Sequence, residues 1–168
     1  MSEAYIVDYV RSPFTFAKKG ALANVRPEAL GAHVVRALLA KAGVPGDEIE
    51  DIVWACAFQE GEQGLNLGRV VGLEAGLPVT TCGMTMIRWC GSALPAVQAA
   101  AGMLKMGAGD AFVDRLEGEL QRFCFDAAAV EPVRLVFVEA GWDGFEEARC
   151  RRAGPQDQAV AAPGQAGI

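Results

Sequence analysis

The sequence predicts an α/β fold in which a mostly parallel sheet carries helices on both faces. Three observations point there. Short apolar runs alternate with longer stretches of helical periodicity, and helical crossovers are what join parallel strands. The run Ile52-Val53-Trp54-Ala55 reads as a buried strand, as expected of a sheet covered on both sides. With 52% hydrophobic residues and 20 glycines in 168 residues, the chain can build one core with many tight turns.

The elements follow in order. Ala4 to Tyr9 is a short apolar strand, ended by Arg11-Ser12-Pro13-Phe14 because proline cannot donate to a ladder. Lys18-Lys19-Gly20 is a solvated loop tip. Pro27 and Glu28 suit a first helical turn, and Leu30, Val34 and Leu38, with Val35 and Leu39 beside them, form one apolar face. Gly43 is the expected C-terminal cap, and His33 is a packing residue beside that face. Pro45 to Glu48 is a turn or a single helical turn ahead of the Ile52–Ala55 strand. Gln59 to Gly64 is a polar, Gly-rich connection, and Leu67 to Ala75 is a second helix ending at Gly76. Met84, Met86 and Ile87 mark a third strand. A helix of small and aliphatic residues runs from Leu94 to Met106, with Pro95 in its first turn, where no hydrogen bond is lost. Because proline restricts the residue before it, that helix is expected to begin late. Gly107-Ala108-Gly109 leads to a strand at Asp110–Val113; following a helix rather than a strand, it is no dinucleotide fingerprint.

Composition excludes several function classes. The net charge of −6 argues against nucleic acid or an anionic membrane surface as partner. No run approaches the roughly 20 apolar residues of a membrane span, and Met-Ser-Glu-Ala-Tyr is not a secretory leader. The five cysteines, Cys56, Cys82, Cys90, Cys124 and Cys150, form no Cys-x-x-Cys pair, and His33 is the one histidine. Neither a disulfide framework nor a metal site is expected, which suits a reducing cytoplasm.

Chemistry concentrates at Cys90, between a strand and a buried helix and followed by Gly91 and Ser92. Unpaired N–H groups and the positive end of a helix dipole favour a thiolate, the nucleophilic form of cysteine. The bland alternative is a small buried hydrophobe, which most free cysteines are. At the start of a buried helix, Cys90 is expected to be the least solvent-reached of the five thiols.

The stretch Met86-Ile87-Arg88-Trp89-Cys90-Gly91-Ser92-Ala93 resembles the nucleophile block of the thiolase family. Arg11-Ser12-Pro13-Phe14 is similar to the run that follows the family's first strand. Trp54 to Pro78, with Gly61-Glu62-Gln63-Gly64-Leu65-Asn66-Leu67-Gly68-Arg69 inside it, is similar to the segment leading to the nucleophile strand, in wording nearer the fatty-acid-oxidation enzymes. The ketoacyl synthases share the fold type, but these two blocks favour thiolase. The resemblance implies the N-terminal half of a thiolase-like layered fold. It also implies acyl transfer between acyl-CoA or 3-ketoacyl-CoA and coenzyme A through a thioester on Cys90. Coenzyme A is then a substrate and no cofactor is bound. Backbone N–H groups at Gly91 and Ser92 would face the thioester oxygen. Thiolases pair subunits near this region, so a homo-oligomer through the strand before Cys90 is implied as well.

The resemblance stops near Val113. Residues 1–113 read as an incomplete thiolase-like domain and 114–168 as a non-matching, irregular tail. Where the family continues with Gly-Gly-x-Glu-Ser, this chain has Asp114-Arg115-Leu116-Glu117-Gly118-Glu119. A reading-frame shift or a gene-end truncation would produce such a departure. Within the tail, Leu116 to Phe125 suits a short amphipathic helix and Arg134 to Val138 a strand. Arg149 to Arg152 is a solvated basic cluster, and 154–168, rich in Ala, Gly, Pro and Gln, reads as disordered. A full family subunit is more than twice as long, with a catalytic His and a second Cys in a Cys-x-Gly context beyond the first half. The chain by itself is therefore expected to fall short of full enzymatic activity. The alternative is a non-catalytic thiolase fragment serving as an interaction module or remnant.

Overall fold

A computed structural model of the chain describes residues 4–13, 15, 16, 18–115 and 133–138. The elements are β1 (Ala4–Val10), α1 (Pro27–Ala42), β2 (Asp51–Ala55), α2 (Leu67–Glu74), β3 (Met84–Met86), α3 (Ala93–Lys105), β4 (Ala111–Arg115) and β5 (Val133–Val138). They build one five-stranded sheet in the order β1-β5-β4-β2-β3. Strand β2 pairs in parallel with both β3 and β4, whereas β5 runs antiparallel between β4 and β1. Four of the five strands therefore run in one direction, with β5 alone opposing them, and in this sense the sheet is mostly parallel, as the alternation of strands and helices predicts.

Local chemistry explains the helices. Helix α1 starts with Pro27 in its first turn and ends at Gly43, whose φ of 72° lies in the left-handed region that glycine enters at no steric cost. The Gly43 and Val44 N–H groups both donate to the Leu39 carbonyl, at 2.9 and 3.1 Å. Asn66 caps α2, its side chain accepting from the Arg69 N–H at 3.3 Å. Helix α3 starts at Ala93, one residue earlier than its composition suggests. Pro95 sits inside the first turn, and Leu94 is helical despite preceding it.

Helices α1 and α2 cover one face of the sheet and α3 the other. Under α1 and α2 lie Val34, Val35, Leu38, Leu67 and Val71 with Ile52 and Trp54 of β2. Under α3 lie Ala93, Ala96, Ala100 and Leu104 with Val53, Ala55 and Phe112. Strand β2 thus points alternate residues into two cores, and all four of Ile52 to Ala55 are buried. Contacts are tight where glycine stands. A Cβ on Gly31 would lie 2.8 Å from the Trp54 ring, and one on Gly68 would lie 2.5 Å from the Met84 carbonyl oxygen.

The sheet does not end where the family-like sequence ends. Strand β4 runs to Arg115, and β5 comes from the segment read as a tail. Val133–Val138 covers the predicted Arg134–Val138 run and adds a structural role: it is the strand that joins β1 to β4. Lys41 of α1 also reaches β1. Its Nζ lies 2.8 Å from Asp8 Oδ1, 3.0 Å from the Tyr9 carbonyl and 5.3 Å from the centre of the Tyr9 ring. The expectations for Leu116–Phe125, Arg149–Arg152, 154–168, Cys124 and Cys150 fall outside the described residues.

Candidate active site

Because β2 and β3 are parallel, their C-terminal ends emerge at the same edge of the sheet. In open α/β sheets this is the edge where ligands bind. Four residues past β3, and three before α3, is Cys90. Two consecutive turns carry it: the Gly91 N–H donates to the Arg88 carbonyl at 3.0 Å, and the Ser92 N–H to the Trp89 carbonyl at 3.1 Å. Trp89 has a φ of 52°, which a bulky residue adopts at a cost on the order of 1–3 kcal/mol. Its ring meets Phe58 edge to face, with centroids 5.3 Å apart.

The result is an exposed thiol. Among the described cysteines, Cys90 and Cys82 are exposed and Cys56 is buried. This corrects the expectation that Cys90 is the least accessible. Trp89 is left-handed, and Cys90 sits on a turn three residues ahead of the helix. Gly91 and Ser92 also differ from expectation. Their N–H groups, expected to face a thioester oxygen, are spent on the Arg88 and Trp89 carbonyls. The Ser92 side chain, which sequence reasoning did not single out, is fully buried. Its Oγ accepts from the Arg88 N–H at 2.7 Å and lies 2.6 Å from the Trp89 carbonyl and 3.1 Å from that of Cys56.

Neighbouring segments frame the turn. The Cys56 N–H donates to the Met86 carbonyl at 3.0 Å, and its thiol donates to Gln63 Oε1 at 3.3 Å. Gln59 Nε2 donates to the carbonyl of Leu65, another residue with positive φ. Asn66 ties this connection to β3. Its Nδ2 donates to the Gly83 carbonyl at 2.6 Å, its Oδ1 accepts from Thr85 Oγ1 at 3.0 Å, and Thr85 Oγ1 accepts from the Gly68 N–H at 3.0 Å. Arg69 holds the approach to β3 through the Thr81 carbonyl and, at 2.8 Å, the Val79 carbonyl. An asparagine directly before a helical apolar run is a cap signature, so Asn66 was open to sequence reading. Its second and third bonds, to Gly83 and Thr85, are not local and were not.

His33 lies on α1, in the layer opposite α3, half-buried as expected of a packing residue. Among the described residues no cluster of His, Cys, Asp or Glu could hold a metal ion. None of the helices described is long and apolar enough to cross a membrane.

Comparison with known proteins gives the arrangement a context. The family described as thiolase, N-terminal domain, matches residues 4–114. Over 111 residues, the chain is 44% identical to a 3-ketoacyl-CoA thiolase of Acinetobacter baumannii, covering 66% of this chain and 28% of that protein. It is 42% identical, over the same shares, to the 3-ketoacyl-CoA thiolases of Psychrobacter cryohalolentis and Psychrobacter arcticus. The chain thus spans 28% of the length of these curated relatives. Strand β5 lies outside the matched range.

Proposed function

Since the chain belongs to the thiolase family through its N-terminal domain, we propose that Cys90 accepts an acyl group from acyl-CoA or a 3-ketoacyl-CoA. The Cys90 sulfur attacks the thioester carbonyl, a new C–S bond forms, and coenzyme A leaves as its thiol. Exchange of one thioester for another has little energetic cost, and a covalent carrier splits acyl transfer into two easier steps. The observation that carries this reading is the exposed Cys90 on a fixed, strained turn at the C-terminal edge of two parallel strands. The names of the relatives and the wording of Gly61 to Arg69 support a 3-ketoacyl-CoA substrate of the fatty-acid-oxidation type. The thiols of Cys82 and Cys90, outside any disulfide, suit the cytoplasm.

In this reading, acylation is separable from full turnover. Thiolytic cleavage needs acid–base groups beside the nucleophile, each contributing about 10²–10⁴-fold. The sole histidine, His33, lies on α1, in the layer opposite α3. The chain by itself therefore becomes acylated without cleaving 3-ketoacyl-CoA at a family-like rate. Intact-mass and peptide mapping after incubation with acetyl-CoA tests this. The expected result is one acetyl group on Cys90, none in Cys90→Ser, and stoichiometric release of coenzyme A. Labelling of Cys82 as readily as Cys90, or steady turnover of acetoacetyl-CoA, refutes the corresponding part.

A second reading has its own observation. Among the described residues β3 ends the sheet, and Ile87 and Trp89 beside it are exposed. An uncovered edge strand pairs readily with another. Under this reading the chain is a non-catalytic module that joins a second copy along β3. It predicts a dimer in sedimentation and no acylation of Cys90.

A further inference from the structure

Ser92 is completely buried although it lies two residues from an exposed thiol. Buried hydroxyls are retained where hydrogen bonds compensate their lost hydration. Here the compensation comes from three backbone groups. The Arg88 N–H donates to Oγ, and the single hydroxyl proton is shared between the Trp89 carbonyl at 2.6 Å and the Cys56 carbonyl at 3.1 Å. Two of these groups immediately precede Cys90, and the third lies just past β2. One side chain therefore fastens the turn that carries Cys90 to the end of the neighbouring strand. The Trp89 carbonyl also receives the Ser92 N–H, so both donors of Ser92 bear on the residue with φ of 52°.

We propose that Ser92 is a positioning residue for Cys90: its hydroxyl holds Trp89 in the left-handed conformation and thereby sets the direction in which the thiol leaves the sheet edge. This rests on the reading of Cys90 as the acyl acceptor. Ser92 itself does not meet the substrate, because its hydroxyl is buried and engaged with backbone on every side. Without the hydroxyl the Arg88 N–H loses its acceptor, and Trp89 is free to relax to negative φ. Reaction rates are sensitive to such shifts: a misplacement of about 1 Å can cost about 10²-fold.

The test compares the full chain with its Ser92→Ala and Ser92→Thr variants; Ser92→Gly is a second hydroxyl deletion should alanine fail to fold. Three quantities are read. The first is exchange protection of the Arg88 amide. The second is the rate of Cys90 alkylation by iodoacetamide relative to Cys82 in the same molecule. The third is the rate of Cys90 acylation by acetyl-CoA. Deleting the hydroxyl is expected to speed Arg88 exchange, change the Cys90-to-Cys82 ratio, and slow acylation about 10–10²-fold. Threonine, which keeps the hydroxyl, is expected to restore all three toward wild type. If the ratio is unchanged in a folded deletion variant, or if Cys82 changes in parallel, Ser92 does not position Cys90. The alkylation ratio needs no acyl-CoA chemistry. Wild-type chain that fails to acylate thus refutes the proposed function, while the ratio still decides the role of Ser92.

Discussion

The two faces of the sheet are packed by different means. Beneath α1 and α2 the core is built by volume, from Trp54, Leu38, Ile52, Leu67 and Val71, all completely buried or nearly so. Beneath α3 it is built by closeness, with Ala93, Ala96 and Ala100 against Val53, Ala55 and Phe112. Both solutions exclude water, since close packing and not residue size is the requirement. They differ in what a change would disturb. The bulky face holds most of the largest fully buried side chains. The alanine face fixes the seat of α3, and Cys90 hangs from the start of that helix.

The sharpest way to break this contrast is to empty the bulky face. Trp54→Ala removes the largest fully buried side chain, flanked by Gly31 and Gly68, which cannot close the gap. Loss of about 3–5 kcal/mol is expected, against a total of about 5–15 kcal/mol for a domain. Urea denaturation measures it, and a loss below 1 kcal/mol would show that the face is loosely filled. The same variant, while folded, should keep the wild-type Cys90-to-Cys82 alkylation ratio.

The second change sharpens the comparison from the other side. Ala96→Leu adds volume where α3 lies close to the sheet, at a fully buried position. Overpacking of this kind costs about 1–3 kcal/mol. The expected outcome is a smaller fall in melting temperature than for Trp54→Ala, with an altered Cys90 alkylation rate because the helix start moves. An unchanged rate would mean that the turn is held by Ser92 and Phe58 independently of the helix seat.

These contrasts separate what the chain declares locally from what only the fold assembles. The limits of α1 were legible, because Pro27, Glu28 and Gly43 act within a few residues of themselves. The strand-to-helix setting of Cys90 was legible for the same reason. Its exposure was not: it depends on Trp89 adopting positive φ, and the Ser92 bonds that accompany this include one to Cys56, 36 positions away. Strand order was illegible too. Nothing in Arg134 to Val138 announces that it lies between β1 and β4, since that placement arises from pairing across most of the chain.

The smallest effect concerns the edge of β2. Burial of Asp51 pushes its carboxyl above the ordinary range, a hydrogen bond from the Ile52 backbone only partly opposing it. The folded state therefore binds its proton more tightly than the unfolded state. Below the ordinary value of about 4 both states are protonated and Asp51 costs nothing. As pH rises from there through the folded-state value, stability declines, and it stays reduced above. Asp51→Asn is expected to flatten stability in that window and to raise the melting temperature slightly at neutral pH. A variant whose pH profile matches wild type would show that Asp51 ionises freely in the fold.

Strand β5 has a consequence for how the molecule comes into being. The first strand made is among the last to be paired: Ala4 meets Val138, and Val10 meets Val133. On a growing chain β1 cannot meet β5, the strand it pairs with, until every other described element has been synthesised. In the interval its tether is Lys41, whose ammonium grips Asp8 and Tyr9 from the end of α1. Closing so long a loop is entropically costly, and distant pairings of this kind slow folding. Helices α1 to α3 with β2, β3 and β4 can gather first, leaving one side of β4 open. The arrival of β5 then fills that opening and captures the waiting N-terminus in the same step.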